Sequence, residues 1–144
     1  MTSPATVTAA TGDTTSATPP AVVGQPRVWL RVEGAAALVA GLALYAAWGG
    51  QWLWLLPLLL APDISMLGYL RGPGAGAWLY NLAHHAGVAL AVLGLGAWLG
   101  VPALGLAGAV LLAHVGMDRA LGHGLKYPTA FQDTHLGRIG RGRR

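Results

Sequence analysis

Two long stretches of the chain carry no acidic, lysine or arginine side chain, and they constrain the fold more than any other feature. They run over residues 34–62 and 72–117. A small soluble domain has too much surface for its volume to leave such stretches without charge. Over the whole chain 10% of residues are charged, against roughly 25% in soluble globular proteins. The sequence therefore predicts an integral membrane protein.

Four apolar segments each come close to the ~20 residues that a helix needs to cross a bilayer. Because backbone groups in lipid need partners within the protein, we expect these segments to be helices rather than strands. The predicted fold is all-α, a four-helix transmembrane bundle formed by residues 27–138. Its spans are expected at about 29–48, 51–70, 75–99 and 102–121.

Polar segments flank the predicted bundle. Residues 1–26 are mostly Thr, Ala, Ser and Pro with a single charge, and they have too little apolar surface to offset chain entropy, so we expect a disordered tail. A short cytoplasmic segment at the membrane interface, 122–138, follows the bundle, and 139–144 form a basic tail. The absence of Cys excludes disulfides and thiolate metal ligands.

Lysine and arginine residues predict the orientation. The turn between the first and second spans and the turn between the third and fourth carry none. Because cytoplasmic loops carry an excess of these residues, we expect both termini in the cytoplasm and the chain in the inner membrane. The lipid bilayer is the expected partner and nucleic acid is not, while a homo-oligomer or a membrane-protein partner stays open. The residues concerned are Arg27, Arg31, Arg71, Lys126, Arg138, Arg141, Arg143 and Arg144.

Ionisable side chains within membrane spans are costly, so they are candidates for function. At about 1.5 Å rise per residue, those of this chain lie roughly 5–13 Å from the cytoplasmic ends of their helices. The outer half of the predicted bundle has none. If these side chains face inward, they form one polar cluster open to the cytoplasm. The candidates are Glu33, Asp63, His84, His85, His114 and Asp118.

Spacing along the helices refines this cluster. His114 and Asp118 are four residues apart and share a helix face, as do Asn81 and His85. His85 and the residue before it point about 100° apart, so one of the two histidines is expected to face the cluster. Pro62 frees a backbone carbonyl that a broken helix can use to line a polar cavity.

One interpretation is a metal site, with nitrogen and oxygen donors suited to a divalent zinc, manganese or iron ion. A bound metal could activate water, which would make the protein a metal-dependent membrane hydrolase. The chain has no HExxH or paired HxxxH pattern, so whether it is an enzyme is left open. No cofactor is certain. The candidate ligands are Asp63, His84, His85, His114 and Asp118.

Other interpretations also remain. The cluster could relay protons or ions, although the outer half offers no polar continuation. Haem ligation by His84 or His85 with His114 lacks further support in the sequence. Alternatively, the groups pair across helices, with Asp118 meeting Arg119 or His114, and fix the register of a structural or partner-binding subunit without catalysis.

Three stretches carry a resemblance to a known family. They are LRVEGAAAL, APDISMLGYLRGPGAGAWLYNLAHH and GHGLKYPTAFQDTHLGR, the last preceded by AHVGMDRALG. Over about residues 29–138 the chain resembles the domain of unknown function 4260 family of small bacterial integral membrane proteins. The resemblance implies a polytopic membrane protein of uncharacterised activity and supplies no catalytic or binding residues.

The C-terminal segment has a physical interpretation of its own. Gly122 and Gly124 are expected to end the last helix, and the aromatic and lysine side chains that follow suit the headgroup zone. Asp133 and His135 are two potential ligands that could fold back over the mouth of the cluster as a lid. The plainer alternative is that Asp133 caps a local turn and His135 is solvated.

Overall fold

A computed structural model describes residues 19–140 of the chain, which are mostly helical. Five α-helices and one 3₁₀ helix precede a small antiparallel hairpin, so the predicted all-α class is confirmed. The elements are α1 Gly24–Ala47, α2 Trp52–Leu60, the 3₁₀ helix Ala61–Arg71, α3 Pro73–Ala83, α4 Ala86–Leu99, α5 Pro102–Leu121, β1 Asp133–Thr134 and β2 Gly137–Arg138.

Three helical stretches are long and apolar enough to cross a membrane: α1, α2 continued by the 3₁₀ helix, and α5. Together α3 and α4 pass the same test but are bent by 42° at their junction, which gives up to four candidate spans. The predicted number of spans agrees with this arrangement. The third predicted segment, 75–99, is not one continuous helix, because α3 ends at Ala83 and α4 begins at Ala86.

The helical part begins earlier than expected. Helix α1 starts at Gly24, so the last three residues of the predicted tail, 1–26, belong to a helix. Just before it, the backbone N–H of Val22 donates to the carbonyl of His135 over 2.8 Å. This hydrogen bond joins the residues just before α1 to the C-terminal segment. A pairing between such distant residues cannot be predicted from local sequence. Residues 1–18 of the predicted tail and 141–144 of the basic tail lie outside the described residues.

Helix α5 is the most enclosed helix and packs against both α1 and α4. Glycines permit the close approach of α1. A Cβ atom at Gly41 would overlap the backbone of Ala113, and one at Gly116 would overlap the backbone of Leu38. Such contacts between small residues are how helices pack within lipid, where apolar side chains gain little by association. Helix α5 therefore positions its polar residues at the centre of the molecule.

After α5 the chain turns back over the end of the helices. Gly122 ends α5 in the left-handed region, with φ +93°, as expected for a C-cap glycine. Residues 122–140, here called the C-terminal segment, contain the β1–β2 hairpin. Asn81 of α3 holds this segment by two hydrogen bonds with the backbone of Lys126, 2.9 Å to its carbonyl and 2.7 Å from its N–H. The C-terminal segment therefore returns to α3.

Candidate metal centre

Three side chains from three different helical elements converge at one point. They are Asp63 of the 3₁₀ helix, His84 at the end of α3 and His114 of α5. The two Nε2 atoms are 2.9 Å apart, and Oδ1 of Asp63 is 3.4 Å from Nε2 of His84 and 3.6 Å from Nε2 of His114. Both histidines are buried, while the aspartate side chain is 35% exposed. We refer to these three residues as the Asp/His group.

The orientation of His114 follows from a proline in the neighbouring helix. In a 3₁₀ helix the carbonyl of Leu59 would accept from the residue three positions later, but that residue is Pro62, which has no N–H. The freed carbonyl instead accepts a hydrogen bond of 2.6 Å from Nδ1 of His114. Because a carbonyl can only accept, Nδ1 carries the proton. The lone pair of Nε2 is therefore directed at the Asp/His group.

His84 is held in a similar way at the break between α3 and α4. Its Nδ1 lies 2.8 Å from the carbonyl of Tyr80, one turn earlier in the same helix, so this nitrogen is also the donor. Its ring stacks on the ring of Tyr80, with centroids 3.6 Å apart and planes inclined by 15°. The stacked ring restricts rotation of the imidazole, so its Nε2 also points at the Asp/His group.

The two imidazoles therefore present lone pairs to each other at 2.9 Å with no proton between them while both rings are neutral. Such a contact is repulsive unless a cation lies between or beside the two nitrogens. In a tetrahedral zinc site with bonds of about 2.0–2.1 Å, neighbouring ligand atoms lie about 3.3–3.4 Å apart. The separations of 2.9, 3.4 and 3.6 Å bracket that value, so the Asp/His group can hold a metal ion.

Asp118 lies beside this group. Its Oδ2 atom is 3.8 Å from Nε2 of His84 and 4.0 Å from Nε2 of His114. The same oxygen accepts a hydrogen bond of 2.7 Å from the hydroxyl of Tyr80. Tyr80 thus contacts both the histidine ring and the carboxylate, which joins Asp118 to the three converging side chains.

Two predicted members of the cluster lie elsewhere. His85 is exposed, and its Nδ1 accepts a hydrogen bond of 3.0 Å from the backbone of Gly87 at the start of α4. The helix breaks between the two adjacent histidines, so His85 caps α4 while its neighbour faces inward. Glu33 is exposed on α1. Because α1 begins at Gly24, Glu33 is the tenth residue of the helix rather than one turn into it, and its side chain lies on the outer face.

The predicted lid residues organise the C-terminal segment itself. Oδ2 of Asp133 accepts from the hydroxyl of Thr129 over 2.7 Å, and Oδ1 lies 3.3 Å from Nη1 of Arg138. Nδ1 of His135 accepts from the backbone of Leu125 over 2.8 Å. These two side chains therefore bond to other groups of the C-terminal segment rather than to the Asp/His group. The side chain of Asn81 bonds to the backbone of Lys126 in the C-terminal segment and does not belong to the Asp/His group.

The C-terminal segment nonetheless covers the cluster, through residues that the sequence did not identify. It forms one wall of a half-open cavity of about 290 Å³ beside Asp63, here called the covered cavity. Lys126 and Phe131 contribute from the segment, and Ile139 follows the hairpin. Of its lining residues, the sequence identified Asp63 and Asp118 as candidates. The cavity's polar lining residues are Asp63, Tyr80, Asp118, His123 and Lys126.

The fold and the site together define a helical protein with apolar, membrane-span-like helices and a buried Asp/His group that could hold a metal ion. The chain belongs to the family described as Domain of unknown function (DUF4260), whose family model matches residues 27–139. The resemblance noted in the sequence is thereby confirmed. No curated protein and no solved structure matches the chain.

Proposed function

We propose that this protein is an integral membrane protein that binds one divalent transition-metal ion through Asp63, His84 and His114. The observation that carries the proposal is the convergence of two imidazole lone pairs and a carboxylate oxygen, all within 4.8 Å of one another. Imidazole and carboxylate donors suit zinc, and also manganese and iron. Zinc is the probe of choice because the separations match a tetrahedral zinc site and because zinc has no redox chemistry.

The surroundings of the ligands support this proposal. Histidines that bind metals almost always donate their other ring N–H to a carbonyl or carboxylate, which fixes the tautomer and raises the basicity of the ligand. His84 and His114 both do so, to the carbonyls of Tyr80 and Leu59. In these tautomers the Nε2 lone pairs of both neutral rings remain available to a metal ion.

A second candidate function is that of a metal-dependent membrane hydrolase. It is favoured by the covered cavity, because zinc sites that catalyse have three protein ligands and an open position, whereas structural sites are closed by four. A bound zinc ion lowers the pKa of a coordinated water to about 7. Asp118, held by Tyr80, is the carboxylate beside the three ligands and the candidate general base. Chelator-sensitive cleavage of p-nitrophenyl acetate or p-nitrophenyl phosphate, lost in Asp118→Asn, would support this candidate.

Metal analysis of the protein purified in mild detergent tests the first proposal. We expect about one zinc ion per chain after loading and dialysis, and loss of that ion in Asp63→Asn and in His114→Gln. His85→Gln is the matched control, because the same residue type is removed from an exposed position one residue away from a ligand. Circular dichroism and gel filtration establish that each variant remains folded.

A folded wild-type protein that retains no stoichiometric zinc would contradict the proposal. The same number of zinc ions per chain in the wild type and in folded His114→Gln would also contradict it. If the wild type holds no metal and both ligand variants unfold, the Asp/His group is a structural element of the bundle. That outcome would favour a structural or partner-binding subunit.

The orientation of the protein in the inner membrane, with both termini cytoplasmic, is part of the proposal. The distribution of lysine and arginine residues supports it, since positive charges lie in the first turns of α1, at the last residue of the 3₁₀ helix and in the segment after α5. A reporter fused after Arg144 should be active in the cytoplasm. A periplasmic reporter signal would place the covered cavity on the opposite side.

A further inference from the structure

Lys126 is a buried cation that faces the covered cavity. Only 4% of the residue is exposed, and it lines the cavity together with Asp63 and Asp118. Its Nζ donates a hydrogen bond of 2.7 Å to the backbone carbonyl of Phe131. The same Nζ lies 3.9 Å from the centroid of the Phe131 aromatic ring. An ammonium group has three N–H donors. Among residues 19–140, Phe131 provides the one protein acceptor for them.

Buried ammonium groups are costly unless their donors and their charge are matched. Cation–π contacts with Phe131 and Tyr80, the latter at 5.0 Å, offset part of that cost. They leave two N–H groups without protein acceptors in the described part of the chain. The side chain therefore has donors to offer to a ligand within the cavity.

The charge of the cavity depends on the metal. Asp63, Asp118 and Lys126 together carry one net negative charge when the histidines are neutral. A bound divalent ion changes this to one net positive charge. An anion is therefore favoured in the metal-loaded protein and disfavoured without metal. The volume of about 290 Å³ is many times the ~30 Å³ that a water molecule occupies in the liquid, so a tetrahedral oxyanion fits.

We propose that the metal-loaded protein binds a phosphate group in the covered cavity, with oxygen atoms toward both the metal and the Lys126 ammonium. This inference rests on the metal-binding function proposed above. Phosphate has enough oxygen atoms to contact both cations at once, and lysine binds phosphate as a compact charge.

The phosphate can come from solution or from a lipid headgroup. Asp63 lines the covered cavity and also a groove on the outer side of the 3₁₀ helix. Apart from Asp63 and the Tyr69 hydroxyl, that groove is apolar, and its side chains include Ile64, Leu67 and Leu70, which are all exposed. A phosphomonoester lipid could place its chains along this surface and its headgroup at the metal. Free phosphate needs only the cavity, so the two sources can be told apart by experiment.

Calorimetric titration of the zinc-loaded protein with inorganic phosphate tests the proposal. We expect saturable binding that requires zinc and weakens by about tenfold or more in Lys126→Met, the usual effect of losing a hydrogen bond to a charged group. The zinc content should not change in this variant. Arg71→Met removes an exposed cation outside the cavity and should bind phosphate as the wild type does.

A second measurement does not depend on any variant. With manganese in place of zinc, the ³¹P relaxation of inorganic phosphate should be enhanced beyond that produced by the same protein with the metal removed by chelation. Repeating the titration in nanodiscs with phosphatidic acid or with phosphatidylcholine distinguishes the sources. Competition by phosphatidic acid alone assigns the lipid headgroup, and no competition by either lipid assigns free phosphate.

Failure of this inference is separable from failure of the metal site. Stoichiometric zinc without phosphate binding, or with equal phosphate affinity in wild type and folded Lys126→Met, would overturn the phosphate site and leave the metal site intact. Absence of manganese-dependent ³¹P relaxation would overturn it as well. If the wild type binds neither zinc nor manganese, both proposals fail together.

Discussion

His84 and His114 bring their Nε2 atoms to within 2.9 Å while each donates its Nδ1 proton to a backbone carbonyl. Two neutral rings in these tautomers repel each other at that distance. Asp63, whose Oδ1 lies 3.4 and 3.6 Å from the two nitrogens, adds a negative charge at the same point. A cation bound at this point would remove the repulsion between the two lone pairs and balance the carboxylate charge. Imidazole nitrogen and carboxylate oxygen are ligand types that suit a divalent metal ion.

The carbonyl freed by Pro62 should be needed for full metal affinity. In Pro62→Ala the new backbone N–H can compete for the carbonyl of Leu59 and release His114 from its hydrogen bond. Loss of a hydrogen bond that orients a metal-binding histidine typically lowers metal affinity 10–100-fold. We predict a decrease of about 10-fold or more, measured by competition for zinc with a chromophoric chelator.

Pro57→Ala is the matched control, since Pro57 lies within α2. Its zinc affinity should equal that of the wild type. Equal affinity in all three proteins would show that His114 does not depend on the Leu59 carbonyl for its orientation.

Tyr80→Phe should destabilise the fold without removing the metal. The hydroxyl of Tyr80 donates to Oδ2 of Asp118, which is buried, and its loss leaves that carboxylate oxygen without this donor. We expect a loss of about 1–3 kcal/mol in the free energy of unfolding, seen as a lower Tm in detergent, with unchanged zinc stoichiometry. Tyr127→Phe removes an exposed hydroxyl bonded to the carbonyl of Pro20 and should have a smaller effect. A Tm in Tyr80→Phe equal to that of wild type would contradict the prediction.

The C-terminal segment should loosen as the pH falls. Burial, and to a lesser degree the charge of Arg119, hold the pKa of His135 below its ordinary value near 6.5. The unfolded chain therefore binds the proton first, so the stabilisation by neutral His135 is complete above pH 6.5 and is lost progressively below it. Protonation also removes the ring acceptor for the N–H of Leu125.

Hydrogen exchange at Leu125 reports this transition. After correction for intrinsic exchange, protection should fall between about pH 7 and pH 5 in the wild type. His135→Asn, which keeps an acceptor but does not titrate in this range, should flatten the change. Protection in the wild type that does not vary with pH would show that the ring does not hold the segment.

Much of the architecture could be predicted because it follows from local physical constraints. Apolar segments of about 20 residues indicate the candidate spans, and Pro62 necessarily leaves a carbonyl without its helical donor. The choice between His84 and His85 was beyond sequence reasoning. Neighbouring residues of a continuous helix diverge by about 100°, but here the helix breaks at this pair, so His85 becomes a cap instead.

Residues of the covered cavity were missed for a different reason. Lys126 reaches the site because Asn81, 45 positions earlier, binds its backbone. The start of α1 is likewise joined to His135, across more than 100 positions. These pairings are set by the tertiary fold, and no periodicity in the local sequence reports them. The side chains of Asp133 and His135 accept hydrogen bonds from Thr129 and Leu125 of the same C-terminal segment.

X-ray absorption at the zinc edge tests the central claim most directly. For zinc-loaded wild type we predict first-sphere scattering at about 2.0–2.1 Å from nitrogen and oxygen only, with outer-sphere scattering from two imidazoles. His84→Gln should reduce this to one imidazole, and His85→Gln should leave the spectrum unchanged. Stoichiometric zinc without imidazole scattering, or a spectrum that changes with His85 rather than His84, would contradict a metal centre at Asp63, His84 and His114.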